Sequence, residues 1–475
     1  MNTSISIPLW VFAILILITG WALLSRILFP SVRWFLRRRV NRVLDEISTL
    51  LDIEIKPFQL TKRQVLIDRL VYDPKVIEAI QEYALEQQIS REAAQAKVVN
   101  YAEEIVPAFN AYIYFRFGYW FSKKIARLLY RVRLGFVDEK KIAAIDPKST
   151  VVFVMNHRSN MDYILVSYLT TERTALSYAV GEWARIWALQ TLIKATGAFF
   201  VRRQSNNKLY RRVLERYVHM ATREGVCQAV FIEGGLSKDG LMRPPKLGFL
   251  DYMLRGFDPD KDRDIVFIPI GLNYDRTLED RSLLRKLNPN AERRSKWFVV
   301  KTVIKFNAQV FFLMARNRWR RFGFACVNFG NPISTRSFCQ EHGINFSQMD
   351  SSLRFVKVEV LARQLLSNIK QIIPPLPVPI IATILVKNPE TWFNHFDLNA
   401  RVHHLLENLS DQNALISFPT SHDFTIETTI NMLHLRHLIL KSEDSYKMAP
   451  EALDVLTYYA NSIAHWVGNN DRQPL

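Results

Sequence analysis

Two periodicities divide the chain. From about residue 40 to 106 apolar positions recur at helical spacing: VNRVLDEISTLLDI and DPKVIEAIQEYALEQQ each present an apolar stripe, and Ser90-Arg91-Glu92-Ala93 reads as the capped start of another helix. From residue 150 short β-branched runs take over, at VVFVM (151–155), AFFV (198–201), VCQAVFI (226–232), IVFIPI (265–270) and ACVNF (325–329). Amphipathic stretches lie between them, such as KLYRRVLERYVHMATRE (208–224), closed by Gly225. This alternation predicts an α/β core, a largely buried sheet covered by helices. Residues 372–386, IIPPLPVPIIATILV, carry four prolines and read as a linker or surface-hugging segment, and 388–475 reads as helical and polar. The expected units are an apolar N-terminal segment at 5–29, a helical region at 31–107, an α/β domain at 108–371 and a C-terminal helical region at 372–475.

Ile7 to Leu24 contains eighteen residues without a charge, about the length that spans a hydrocarbon core. A cleavable signal peptide is the alternative, but it would carry a positive leader and a shorter apolar stretch. We therefore expect a retained transmembrane anchor. Arg33, Arg37, Arg38, Arg39 and Arg42 follow it, and residues 1–6 have no charged side chain, which predicts the bulk of the chain on the cytoplasmic side of the inner membrane. The whole chain of 475 residues has 63 Lys and Arg against 45 Asp and Glu, a net charge of +18 that favours anionic partners. A membrane absorbs part of that excess, so nucleic acid is not expected as a partner. Residues 108–135, AFNAYIYFRFGYWFSKKIARLLYRVRLG, mix aromatic and basic side chains. They suit either a helix packed on its own domain or one lying at a headgroup surface. The three cysteines form no CxxC pair, which argues against a zinc ribbon or a disulfide framework.

The candidate chemistry starts at Asn156-His157-Arg158-Ser159-Asn160-Met161-Asp162, directly after an apolar strand. His157 and Asp162 would diverge on a continuous helix, but they meet if His157 sits on the turn and Asp162 in the first helical turn. A carboxylate on one imidazole nitrogen leaves the other free to accept a proton. Alone, the pair reads better as a helix cap beside a satisfied histidine. Further along come GAFFVRR with Arg202 and Arg203, FIEGGLSKDG with Glu233, Gly234, Ser237 and Lys238, RPPKLG with Arg243 and Lys246, and IPIGLNYDR with Pro269 inside a strand. Glycines beside basic side chains suit a phosphate, and a strand proline suggests an edge or a bend.

The order and spacing of NHRSNMD, GAFFVRR, FIEGG-S and IPI resemble the four sequence blocks of the glycerolipid acyltransferase superfamily. GAFFVRR followed by NNKLY, EGG, PPK-G and the ending YYANSIAHW (458–466) resemble the bacterial membrane-bound glycerol-3-phosphate acyltransferases in particular. The resemblance implies His157 as general base and Asp162 as its orienting partner. Arg202 and Arg203 would hold the acceptor's phosphate with Ser237, Lys238 and Lys246, Glu233 and Gly234 would shape the site, and Pro269 would form an acyl-binding wall. The implied reaction moves an acyl group from acyl-CoA or acyl-carrier protein to the sn-1 hydroxyl of glycerol 3-phosphate, with no metal and no further cofactor. Backbone N–H groups near Asn156 would serve the oxyanion. The chain departs from the family at Leu236, where arginine is usual, and at Lys238, where arginine is common. Another acceptor, dihydroxyacetone phosphate or a lysophospholipid, is therefore the alternative within the same chemistry, and a non-catalytic protein binding anionic membranes is the alternative outside it. On this reading Leu236→Ala matters little.

Overall fold

The computed structural model describes residue 19 and residues 56–170, 175–181, 187–202, 205–287, 322–418 and 422–468. The expected anchor apart from residue 19, the arginines after it, Arg203 and the basic runs at 292–297 and 315–321 lie outside the described residues. Among the described residues no single helix is long and apolar enough to cross a membrane; the helices Ser351–Ile372 and Pro377–Lys387 reach that length and composition only together, bent by 91°.

The core is an eight-stranded mixed sheet made of β1 (Arg131–Leu134), β2 (Thr150–Met155), β3 (Ser177–Gly181), β4 (Phe199–Val201), β5 (Gln228–Phe231), β6 (Ile265–Tyr274), β7 (Phe324–Phe329) and β8 (Ile333–Ser334). Its order is β1-β7-β6-β2-β5-β3-β4, with β8 beside β6. β2 pairs parallel to β5 and β6, and β7 and β8 run antiparallel to β6. All ten residues of β6 are buried, as a central strand covered on both faces requires. On one face Val152, Val154 and Phe267 pack under the helices Lys208–Arg223, Gly248–Leu254 and Ser351–Ile372 and the N-terminal helices. On the other, Phe153, Met155, Ile268 and Ile270 pack under Tyr119–Leu129 and Met161–Thr170.

β2 leaves through the helix Met161–Thr170 toward β3, passing β5. β5 leaves through Gly248–Leu254 toward β6, passing β2. Two adjacent strands whose chains depart in opposite directions open a crevice at their carboxyl ends. His157 follows one of those strands and Glu233 the other.

Three expectations are corrected. The segment at 372–386 is no surface linker: Pro377–Lys387 is a helix, and Pro377 through Leu385 are all buried. Its prolines gather before and within the first turn, where a missing N–H breaks no helical bond. The C-terminal region is not wholly helical, because β9 (Phe393–Asn394), β10 (Ile439–Ser442) and β11 (Ser445–Met448) form a second, antiparallel sheet. These strands have two to four residues, too few for a periodicity to register. The aromatic-basic stretch is helical only to Leu129, after which Arg131–Leu134 forms the edge strand β1.

Candidate active site

Ser159 and Asp162 start the helix that follows β2. Asp162 lies in the first turn, and its Oδ2 accepts the backbone N–H groups of Arg158 (2.8 Å) and Ser159 (3.1 Å). The same oxygen is 2.9 Å from His157 Nδ1, and both side chains are buried. Asp162 Oδ1 accepts the Tyr274 hydroxyl at 2.6 Å. The imidazole lies flat on Phe231, with ring centres 3.6 Å apart and planes 11° apart, and Tyr163 meets both rings edge-on. Nδ1 is thus held by a carboxylate and the ring cannot tilt. Nε2 has no hydrogen-bond partner among the described residues.

Glu233 braces this loop across the crevice. Its Oε1 accepts His157 N–H (2.9 Å) and its Oε2 accepts Arg243 N–H (2.9 Å). Burial raises its pKa, opposed by Arg158 and by those two amides. Glu279 accepts Ser159 Oγ (2.8 Å), Asn160 N–H (3.2 Å) and Asn160 Nδ2 (2.9 Å), and its pKa is raised by burial against those bonds. Met161 N–H donates to Ser159 Oγ. The amides of residues 157–161 are therefore all committed to side chains within the protein, and the expectation that they serve an oxyanion is corrected. The turn after Glu233 lies against His157 through Ser237 N–H to His157 O (3.0 Å). On that turn the amides of Gly235 and Leu236 have no partner among the described residues.

The remaining sequence-predicted residues separate into groups. Gly234 has φ +66, and a Cβ there would stand 2.8 Å from Lys246 Cγ, so glycine is required for both reasons. Lys246 therefore crosses the same turn, with Lys238 and Arg243 nearby in the chain. None of the three has an ion pair among the described residues. Ser237 is buried, its hydroxyl donating to Leu241 O (2.8 Å) and accepting Gly240 N–H (3.0 Å), so it ties the loop together. Arg202 ends β4, three strand positions from β2, about 14 Å across the sheet. Its guanidinium forms a fork on Glu104 (2.7 and 3.0 Å) between the rings of Tyr101 (5.0 Å) and Tyr210 (5.1 Å). Pro269 lies between the stretches of β6 paired with β7 and with β8, on the face of Phe267, opposite Phe231. It packs near Gly330, away from His157.

Sequence reasoning missed the C-terminal element that backs this loop. Arg158 is buried and donates to Gly240 O and to Ser462 O (3.3 Å), and Asn461 donates to Asp239 O (2.8 Å). Tyr458 OH reaches Arg158 O at 3.4 Å. Leu236 packs against the core of the C-terminal region. Phe231 and Tyr274 stand inside the quoted motifs, but nothing in the sequence marks Glu104 or Glu279. Two cavities lie elsewhere: one of about 680 Å³ beside Arg133 and Ser417, and one of about 240 Å³ beside Phe58 and Tyr217.

Residues 136–273 match the family model described as Acyltransferase, and residues 307–469 match the model described as glycerol-3-phosphate acyltransferase C-terminal region. The two matched segments are thus similar to acyltransferases, the second to the glycerol-3-phosphate kind. It is 28% identical over 446 residues to a protein of Pseudomonas paraeruginosa named glycerol-3-phosphate acyltransferase, covering 90% of this chain and 51% of the relative. A protein of the same name from Pseudomonas entomophila is 31% identical over 303 residues, covering 62% of this chain and 34% of the relative. The chain spans about half the length of the first of these relatives. The solved 1-acyl-sn-glycerophosphate acyltransferase of Thermotoga maritima aligns with 64% of this chain and 97% of its own, at 15% identity and a TM-score of 0.30.

Proposed function

We propose that this acyltransferase moves a fatty acyl group from acyl-CoA or acyl-carrier protein to the sn-1 hydroxyl of glycerol 3-phosphate. The observation that carries the reading is the buried His157–Asp162 pair at 2.9 Å with Nε2 left unpartnered among the described residues. The names of the relatives support the acceptor. In the reaction His157 Nε2 takes the proton of the acceptor hydroxyl as its oxygen bonds to the thioester carbonyl carbon. The oxyanion then collapses, the carbon–sulfur bond breaks, and the departing thiolate takes the proton from the imidazolium. Asp162 stabilises that imidazolium without being protonated. The amides of Gly235 and Leu236, without partners among the described residues, are candidates for the oxyanion. Lys238, Arg243 and Lys246 serve the phosphate first, while Arg202 serves it only after parting from Glu104. Pro269, from its place in the sheet, contributes to an acyl wall only indirectly.

We assign the protein to the cytoplasmic face of the membrane. Residues 105–137 hold six basic residues and no acidic one, and Phe117, Trp120 and Phe121 are exposed among them. Rings beside cations suit an anionic headgroup layer. The functional reading is tested with full-length protein in lipid, radiolabelled glycerol 3-phosphate and palmitoyl-CoA, or acyl-carrier protein as donor. Wild type is expected to form 1-acylglycerol 3-phosphate, and His157→Ala to lose at least about a thousandfold in kcat, the scale on which catalytic bases act. Equal rates from both proteins would remove His157 from the chemistry. Product only with a lysophospholipid acceptor would replace glycerol 3-phosphate.

A further inference from the structure

Asp162 has two oxygens with different tasks. Oδ2 holds His157 Nδ1 and two backbone amides, whereas Oδ1 has a single partner among the described residues, the Tyr274 hydroxyl at 2.6 Å. The distance is at the short end for O–H···O, as expected for a phenol donating to a carboxylate. Asp162 is fully buried, so water does not stand in for the phenol. Tyr274 ends β6, the strand next to β2, and Tyr130 packs on its ring at 5.3 Å. Tyr130 spends its own hydroxyl on Arg276 O at 2.8 Å.

We propose that Tyr274 is a positioning residue that sets the basicity of His157 by sharing the negative charge of Asp162. The proposal rests on the reading of His157 as the base. A phenol donating to Oδ1 draws charge from Oδ2 and weakens the pull of the carboxylate on the imidazolium proton, so His157 gives that proton up more readily to the departing thiolate. Burial and the neighbouring Asp162 push the Tyr274 hydroxyl well above its ordinary pKa, which keeps it a donor throughout the working range. The other ionisable groups facing the pair are Glu279 and Tyr130 beside Tyr274, and Glu233, Arg158 and Tyr163 beside His157. Each of these has hydrogen-bond partners of its own, Tyr130 on Arg276 O and Tyr163 on Ala179 O among them.

The test is carried out on full-length protein in lipid, with two readouts. One is the titration of His157 by NMR of isotopically labelled histidine, assigned by loss of the signal in His157→Gln. The other is the acid limb of kcat/KM for glycerol 3-phosphate. Tyr274→Phe is expected to move both to higher pH by about half a unit to one unit. It should also lower kcat about tenfold or more with little change in KM for the acceptor. Replacing Tyr274 by 2,3-difluorotyrosine, whose phenol is a stronger acid and donor, should move both to lower pH and keeps the packing intact if the phenylalanine variant folds poorly. Tyr130→Phe should leave both unmoved. Unchanged His157 titration in both position-274 variants would overturn the proposal, even with activity reduced. A wild type with no acyl transfer would instead overturn the functional reading, while the NMR titration would still decide whether Tyr274 acts on His157.

Discussion

At the scale of single residues, the site is built from groups with more than one task. Glu233 uses both carboxylate oxygens on backbone amides, one of them that of His157, and so fixes the distance between the ends of β2 and β5. Ser237, expected as a phosphate ligand, is occupied in holding its own loop. Leu236 stands where the resembled family has arginine. The leucine is partly buried against the C-terminal core, so it is a packing residue and alanine there is not neutral. Leu236→Ala is expected to lower stability by about 1–2 kcal/mol, less than a fully buried leucine would, measured by thermal unfolding in detergent. An unchanged Tm would mean that the contact contributes nothing. The motif spacing made His157, Asp162 and Glu233 legible, because each follows a readable strand. Glu104 and Glu279 were not legible, since a surface helix and a loop carry no pattern that points to a partner far along the chain.

The element with most to say about partners is the helix before β1. A widened turn at Ile113–Gly118 leads into Tyr119–Leu129, and Phe117 stacks on Phe121 with ring centres 5.8 Å apart. Lys124 lies over Trp120 at 4.8 Å, and Arg127 over Tyr168 at 5.7 Å. The inner side of the helix packs on Met161–Thr170, as the first reading of its sequence requires, while the other side is exposed, aromatic and basic. If that side meets anionic lipid, replacing Lys124 and Arg127 by Gln should weaken the stimulation of activity by anionic lipid in mixed micelles. Each charge is worth about 1 kcal/mol near such a surface, so a several-fold change per charge is expected. An identical lipid response in variant and wild type would exclude the helix from the contact.

Across the whole molecule, the eight-stranded sheet and the C-terminal region are locked by buried polar bonds. Asn273 donates to Pro374 O (2.9 Å) and Ser462 Oγ (3.2 Å), Tyr459 OH reaches Asp280 (2.6 Å), and Asp275 accepts the amides of Phe324 (2.7 Å) and Val378 (2.9 Å). Asp275 thereby joins β7 to the start of the helix Pro377–Lys387. Burial pushes its carboxyl up to about 7, against the pull of those two amides. The folded chain therefore keeps a proton that the unfolded chain releases near pH 3.9. The resulting stability is complete below about pH 4 and is lost as the pH rises toward 7. Wild-type Tm should carry this decline, and Asp275→Asn, which cannot titrate, should lack it while being less stable at acid pH because its amide N–H₂ faces a backbone donor. The same slope in both proteins would assign the decline to other groups. By itself the sequence determined the α/β class, the main strands and the histidine-aspartate spacing, because these depend on local periodicity and on residues close in the chain. Only the tertiary structure decided that the proline-rich segment is a buried helix, that Arg202 is held by Glu104, and that the C-terminal helix backs the His157 loop. Those outcomes follow from contacts between residues roughly a hundred to three hundred positions apart, which no local pattern encodes.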